Sequence, residues 1–368
     1  MPSLTIAKKA NKSRSSARPS KRHYDELLRE FVKVCEGWVR RGQPYLAVIL
    51  SHELFRFLYP FEPVLNLKLE DPVPFVTSRL KNLVELGKSF ASIVLPYPLD
   101  WSGWKNGPVE EASLERKTSD LYSSLWRDFK EETLWEEGVK LIQGRLSGEI
   151  INKDIRGKEI LDMGCGSGRY AIALARLGAK RVVAIDYERR SYARAEELAT
   201  SRVLPVEFYA GDLLSLPFED DSFDFVFCNG VLHHTRSIQK GLEELARVLR
   251  PSGKAFLYLY ATGGIFWQTR RAIRQIFKKI PKEYTLTCLQ ILGLPPNRFI
   301  FSDTWYVPRE THTSRRQLER MLKALGFSYQ KVLSKNLFDL DWAVESGEIS
   351  GAREMWGEGE HRYLLKKG

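Results

Sequence analysis

At 368 residues, with 43% apolar and 28% charged side chains, the chain has the composition of a globular protein able to bury a sizeable core. No apolar run is long enough to span a bilayer. The best stretch, Tyr45 to Tyr59, is broken by His52, Glu53 and Arg56, so it reads as a buried helix whose only membrane role would be surface contact. The net charge of +11 suggests a nucleic-acid binder until it is located: seven cations and no acid fall within residues 1–22, and the rest of the chain is only mildly basic.

That basic tail (Lys8, Lys9, Lys12, Arg14, Arg18, Lys21, Arg22) cannot bury enough apolar surface to offset its ordering entropy and is expected to be disordered. An address peptide, a nucleic-acid arm and a plain solvated tail all fit its composition. Residues 23–150 are expected to be mainly helical, as an extension or cap. Leu27, Leu28, Phe31, Val34, Cys35 and Trp38 recur at helical spacing over residues ~24–42. A second helix runs to about Tyr59. Four prolines make Pro60–Pro74 extended or looped, and a third helix is expected over Ser78–Ala91. An irregular link holds Trp101 and Trp104, and helical spacing returns from Ser119 to Arg145. The four cysteines show no metal-ligand spacing, and no metal is expected. Reduced thiols predict an intracellular, cytoplasmic protein.

The pattern changes at Lys158. Strands are expected at Lys158–Met163, Arg181–Ile185, Val206–Tyr209, Phe223–Cys228 and Lys254–Tyr260, with helices at ~169–178, Ser191–Thr200 and ~238–249 between them. This alternation predicts an α/β domain over residues 151–368, with a mostly parallel sheet, crossover helices and an insert near 280–312. Phe327–Leu333 and His361–Lys366 complete seven strands, the last one antiparallel, with residues 335–360 looping between them.

Between the first strand and its helix lies Asp162-Met163-Gly164-Cys165-Gly166-Ser167-Gly168. Bare backbone there lets a ligand approach closely, and the helix start favours an anionic group. A dinucleotide fingerprint would place its third glycine at position 169, which is Arg169, so nicotinamide binding is disfavoured.

This segment resembles the first motif of the class I S-adenosylmethionine-dependent methyltransferases, and the resemblance continues in order. Ala184-Ile185-Asp186, Gly211-Asp212-Leu213, Ser222-Phe223-Asp224, Asn229-Gly230-Val231-Leu232-His233-His234 and Glu243 to Gly253 are similar to the subgroup acting in ubiquinone and menaquinone biosynthesis and on related small molecules. The resemblance implies a Rossmann-like fold with S-adenosylmethionine as cofactor. It also implies cofactor contacts from Asp162, Gly164, Cys165, Gly166, Gly168, Asp186, Tyr187, Asp212, Leu213 and Asn229.

A sulfonium donor needs little beyond in-line positioning, so a general base is optional. His233 and His234 follow the fourth strand, where open α/β sheets place substrates, and either could accept a proton or merely wall the pocket. Tyr122 and Trp126 precede the domain and either close the pocket or pack in the core. Trp126, Asp303, Trp305, Tyr306 and His312 are candidate substrate contacts. A small-molecule or lipid-like acceptor is expected, with a transfer-RNA methyltransferase and a non-catalytic cofactor-binding scaffold as alternatives. Arg270, Arg271, Arg274, Lys278 and Lys279 form a basic helix available to RNA or acidic lipid. Nothing in the sequence points to a protein partner.

Overall fold

The computed structural model describes residues 19–58, 71–90, 114–126, 129–291, 293, 303–333 and 340–368. Most of the expected tail, most of the Pro60–Pro74 segment, the Trp101–Trp104 link and residues 295–302 lie outside them.

Seven strands form one sheet: β1 (Glu159–Met163), β2 (Arg181–Asp186), β3 (Val206–Ala210), β4 (Phe223–Asn229), β5 (Leu249–Tyr260), β6 (Phe327–Lys331) and β7 (Glu360–Lys367), ordered β3-β2-β1-β4-β5-β7-β6. The first five are parallel, and β7 runs antiparallel to both β5 and β6. The fold is therefore the Rossmann-like α/β sheet expected. Strand order reverses at the β1/β4 pair, which opens a crevice beyond their carboxyl ends. The β4–β5 pairing shifts register across Pro251–Gly253: Phe223 pairs with Leu249, and two residues later Phe225 pairs with Lys254.

The helical N-terminal region contains α1 (Lys21–Arg40), α2 (Pro44–Arg56), α3 (Pro72–Ser89), α4 (Leu114–Trp126) and α5 (Gly138–Arg145). Two of the boundaries that differ from expectation are set by caps. Helix α1 starts at Lys21 because the Ser20 hydroxyl accepts the His23 amide N–H, so Lys21 and Arg22 belong to the helix. Helix α3 starts at Pro72, capped by Asp71; proline at the first helical position has no N–H to satisfy and its φ already suits a helix.

Crossovers are made by α6 (Arg169–Arg176), α7 (Ala193–Ser201) and α8 (Ile238–Val248). Beyond β5 come α9 (Gly264–Phe277), α10 (Lys282–Ile291) and α11 (Arg315–Ala324). Where a loop was expected between the last strands, two short helices stand, α12 (Leu340–Glu345) and α13 (Ala352–Trp356). Their apolar residues Leu340, Ala343, Met355 and Trp356 are buried with α1, α2, α3 and α9 in one cluster. Tyr24 shares a hydrogen bond with Thr269 (2.7 Å), and the Trp356 indole donates to the Leu58 carbonyl (3.1 Å). The N-terminal helices thus share a core with the region after β5. A separate cluster fills each face of the sheet.

Candidate active site

The glycine loop follows β1 at the crevice. Gly164, Gly166 and Gly168 have φ of 84°, 55° and 77°, a region side chains resist. A Cβ on Gly166 would come within 2.6 Å of the Trp126 ring, and one on Gly164 within 2.5 Å of Val231. The loop is anchored by Asp186 at the end of β2, whose carboxylate accepts the amide N–H of Gly166 (2.8 Å) and of Tyr187 (2.9 Å).

A cavity of about 600 Å³ runs from this loop toward the ends of β4 and β5. Of the residues singled out from the sequence, Gly164, Cys165, Gly166, Asp186, Tyr187, Asp212, Leu213, Asn229, Trp126, His234 and Asp303 line it. Gly168 does not: it starts α6 and closes against Ala195. Asp162 lies beneath the loop, 1% exposed, with Oδ2 lacking a hydrogen-bond partner. Burial, reinforced by the nearby Asp186, pushes the Asp162 carboxyl up to about 8 against the weaker pull of the Ala171 N–H and Arg169. Burial likewise raises Asp186 to about 6, although two backbone N–H groups oppose it.

Four candidates on the substrate side stand elsewhere. His233 is fully buried behind the wall, stacked on Tyr260 (3.7 Å between centroids), with neither ring nitrogen hydrogen-bonded. Burial, with His234, Arg270 and His312 nearby, pushes its pKa well below the ordinary imidazole value, which suits a packed neutral ring rather than a base facing substrate. Trp305 stacks on Phe277 (4.1 Å) in the core shared with the N-terminal helices, because that apolar cluster outcompetes the cavity for a large ring. The Tyr306 hydroxyl is bound to Thr285 (2.6 Å) and the Ile280 carbonyl (3.1 Å). His312 bridges the Ala261 carbonyl (2.7 Å) and Glu310 (2.6 Å).

What faces the cavity instead is a hydrogen-bonded cluster. The hydroxyl of Tyr122, on α4, lies 2.9 Å from His234 Nε2 and contacts the Asp303 carboxylate. His234 Nδ1 lies 2.8 Å from the Arg309 carbonyl. Tyr260 donates to the other Asp303 oxygen (3.2 Å), and Arg270 approaches the Tyr260 hydroxyl (3.4 Å). Trp126 stacks on Tyr122 (5.2 Å), so one helix touches both the glycine loop and the His234 cluster.

Several cavity residues were not singled out as site residues. Arg145, at the end of α5, donates to Asn229 (2.7 Å) and Tyr170 (3.1 Å); it has no carboxylate partner among the described residues, and its buried Nε is unbonded. Tyr258 donates to Glu360 (2.5 Å), which Arg362 also grips (2.5 Å). A lone Arg in a helix and three residues scattered over two strands carry no local motif. The i, i+2 spacing of Glu360 and Arg362 puts them on one face of β7, which does not distinguish a cavity face from a core face.

The basic helix α9 is half internal. Arg270 and Arg274 both bind Glu310 Oε2 (2.8 and 3.0 Å), which holds that carboxyl well below its usual range although burial opposes the shift. Among the described residues no helix is long and apolar enough to cross a membrane.

Residues 161–257 match the family model described as a methyltransferase domain. The chain is similar to 27-O-demethylrifamycin SV methyltransferase of Amycolatopsis mediterranei (29% identical over 175 residues, 44% of this chain and 63% of that one). It is 38% identical over 111 residues to demethylmenaquinone methyltransferase of Clavibacter sepedonicus, covering 29% of this chain and 43% of that one. A tRNA U34 carboxymethyltransferase of Campylobacter hominis is 32% identical over 154 residues, 42% of this chain and 47% of the relative. The chain spans between 43% and 63% of the length of these curated relatives.

Proposed function

We propose, from the premise that this chain carries a class I S-adenosylmethionine-dependent methyltransferase domain, that it transfers the cofactor's methyl group to a small-molecule acceptor. The observation that carries this reading is the continuous cavity, with the glycine loop and Asp186 at one end and the His234–Tyr122–Asp303 cluster at the other. Donor and acceptor need a shared, water-poor space in which they can line up.

The donor end fits the cofactor's chemistry. Arg145 lines the cavity beside Asn229 and has a buried, unbonded Nε, which makes it a donor suited to the carboxylate of a methionine moiety; Asp162, beneath the loop and outside the cavity lining, would support the loop from below. Asp186 retains lone pairs that would suit ribose hydroxyls, and Asp212, held by the Leu214 N–H and Arg236, lines the cavity where it would meet the base. When bound, the cofactor supplies an activated methyl group; the chain's own residues orient the acceptor and take up its proton.

A transfer-RNA acceptor is the rival, since one relative bears that name. The small-molecule reading is favoured because Arg270 and Arg274 are spent on Glu310 inside the protein and are lost to phosphate binding. Calorimetry with S-adenosylhomocysteine and with NAD tests the donor end; binding of NAD alone would defeat the proposal. Incubating cell extract with tritiated cofactor and then separating small polar, lipid, RNA and protein fractions tests the acceptor. Label confined to RNA, with affinity falling steeply as salt rises, would defeat the small-molecule assignment.

A further inference from the structure

His312 stands between two oxygens that can only accept. Its Nδ1 lies 2.7 Å from the Ala261 carbonyl, and its Nε2 lies 2.6 Å from Glu310 Oε1. A neutral imidazole has a single N–H, so it would satisfy one contact and turn a lone pair on the other. Glu310 cannot supply the missing proton. Its other oxygen takes Arg270 Nε (3.1 Å), Arg270 Nη2 (2.8 Å) and Arg274 Nη1 (3.0 Å). Those guanidiniums hold the carboxyl ionised although burial opposes them. The His312 ring therefore carries a proton on each nitrogen. Its side chain is 10% exposed and that of Glu310 3%, so the bond between them is charge-assisted and poorly screened.

What this imidazolium holds reaches the cavity. Residues 309–313 pass the 3₁₀ turn Leu232–His234 and the end of β5 as a strap. The Thr311 N–H donates to the His233 carbonyl (2.8 Å) and the Thr313 N–H to the Tyr260 carbonyl (3.2 Å). The Arg309 carbonyl lies 2.8 Å from His234 Nδ1. Glu310, clamped by His312, in turn fixes Arg270, whose Nη2 reaches the Tyr260 hydroxyl (3.4 Å). Arg270, Tyr260 and His234 line the cavity, and His312 stands outside the lining.

Resting on the methyltransferase reading above, we propose that His312 is a positioning residue of the transfer reaction. As an imidazolium it clamps Glu310 to the Ala261 carbonyl, and so keeps Arg270, Tyr260 and the His234 turn aligned with the donor. The charges around it are Glu310 on its own strap and Arg270 and Arg274 from α9. His233 faces it from the 3₁₀ turn, the Tyr260 ring lies 6.0 Å away, and the Trp267 ring meets it edge-on at 4.7 Å. Loss of one His312 proton would set two lone pairs against each other inside the protein, and the strap must shift to part them.

Three measurements on the full chain decide the matter. First, nitrogen-15 imidazole spectra at pH 7, with and without S-adenosylhomocysteine, should show both ring nitrogens of His312 protonated. A bare nitrogen on His312 overturns the inference whatever the activity. Second, rates are followed with tritiated S-adenosylmethionine and the small-molecule fraction of cell extract. The wild-type rate should fall on the alkaline side, at the pH where the spectra show the second proton leaving. A rate that stays level through that loss overturns the inference. Third, His312→Gln should lower the maximal rate about tenfold through misalignment and lose the alkaline limb, with S-adenosylhomocysteine affinity kept within about twofold. A wild-type rate in the folded variant, or a donor affinity that falls as far as the rate, also overturns it. If the variant does not fold, the two wild-type measurements decide alone. A wild-type chain that fails to bind S-adenosylhomocysteine, or binds it and labels no fraction, would instead defeat the methyltransferase reading. The spectra would then still show whether His312 holds two protons.

Discussion

Two buried acids set the pH behaviour of the donor end. Asp162, raised to about 8 by burial, keeps its proton in the folded chain at neutral pH, whereas an unfolded aspartate ionises near ~4. The folded state therefore binds the extra proton between those values, and stability from this group falls as pH rises through that window. Asp162→Asn should flatten the decline of Tm between about pH 5 and 8. If the cofactor's ammonium pairs with ionised Asp162, binding S-adenosylhomocysteine at pH 7 releases a proton. Calorimetric enthalpies should then differ between buffers of low and high ionisation heat, and the difference should vanish in the Asn variant. Asp186→Ala removes the partner of two backbone N–H groups as well as any ribose contact, and should weaken S-adenosylhomocysteine by roughly 1.5–3 kcal/mol. Unaltered affinity in a folded variant removes Asp186 from the site. At the other end, burial holds His234 below its ordinary value near 6.5. The rate should rise with pH through a midpoint below that value and level off above it, and His234→Gln should lose the limb along with ~10²–10⁴-fold in kcat. A pH-independent wild-type rate would show that no imidazole titrates in the reaction.

Helix α4 is the element on which the site depends most. It presents Trp126 to Gly166 and Tyr122 to His234 without belonging to the matched methyltransferase segment. Gly166→Ala should be costly twice over, through its positive φ, worth about 1–2 kcal/mol, and through the collision with the indole. Adding Trp126→Ala should recover the collision part and leave the backbone part. Strictly additive melting shifts in the double variant would show that the two residues do not touch. Helix α4 also shows what was legible in the sequence. The strand–loop–helix pattern, the acids closing β1 and β2 and the one after β3 are local signals, so the loop, Asp186, Asp212 and the sheet could be read from one stretch of chain. Which of two adjacent histidines faces the cavity depends on a single 3₁₀ turn, Leu232–His234, and on Tyr260 stacking beneath it. The fates of Trp305, Tyr306 and His312 were set by packing against α9 and α10, and no spacing rule records such long-range choices. Arg145 looked like any cation on an amphipathic helix.

At the scale of the molecule, α1, α2 and α3 are built into the same apolar cluster as α9, α12 and α13. Phe31, fully buried there, should cost about 3–5 kcal/mol when replaced by Ala. Calorimetry on that variant should show one cooperative transition moving as a whole; two separate transitions would mean the N-terminal helices melt on their own. The placement of β7 has a consequence for how the protein is made. The strand that supplies Glu360 and Arg362 to the cavity is synthesised after every other strand, yet it lies between β5 and β6. A nascent chain emerging amino end first can assemble β1 through β5 in order, but β6 has nothing to pair with until residues 360–367 leave the ribosome. The glycine-loop wall of the cavity can therefore take shape while the chain is still growing, whereas the wall that Glu360 and Arg362 form waits for β7. A ribosome stalled before residue 360 would hold a chain with the glycine loop in place and one wall of the cavity missing.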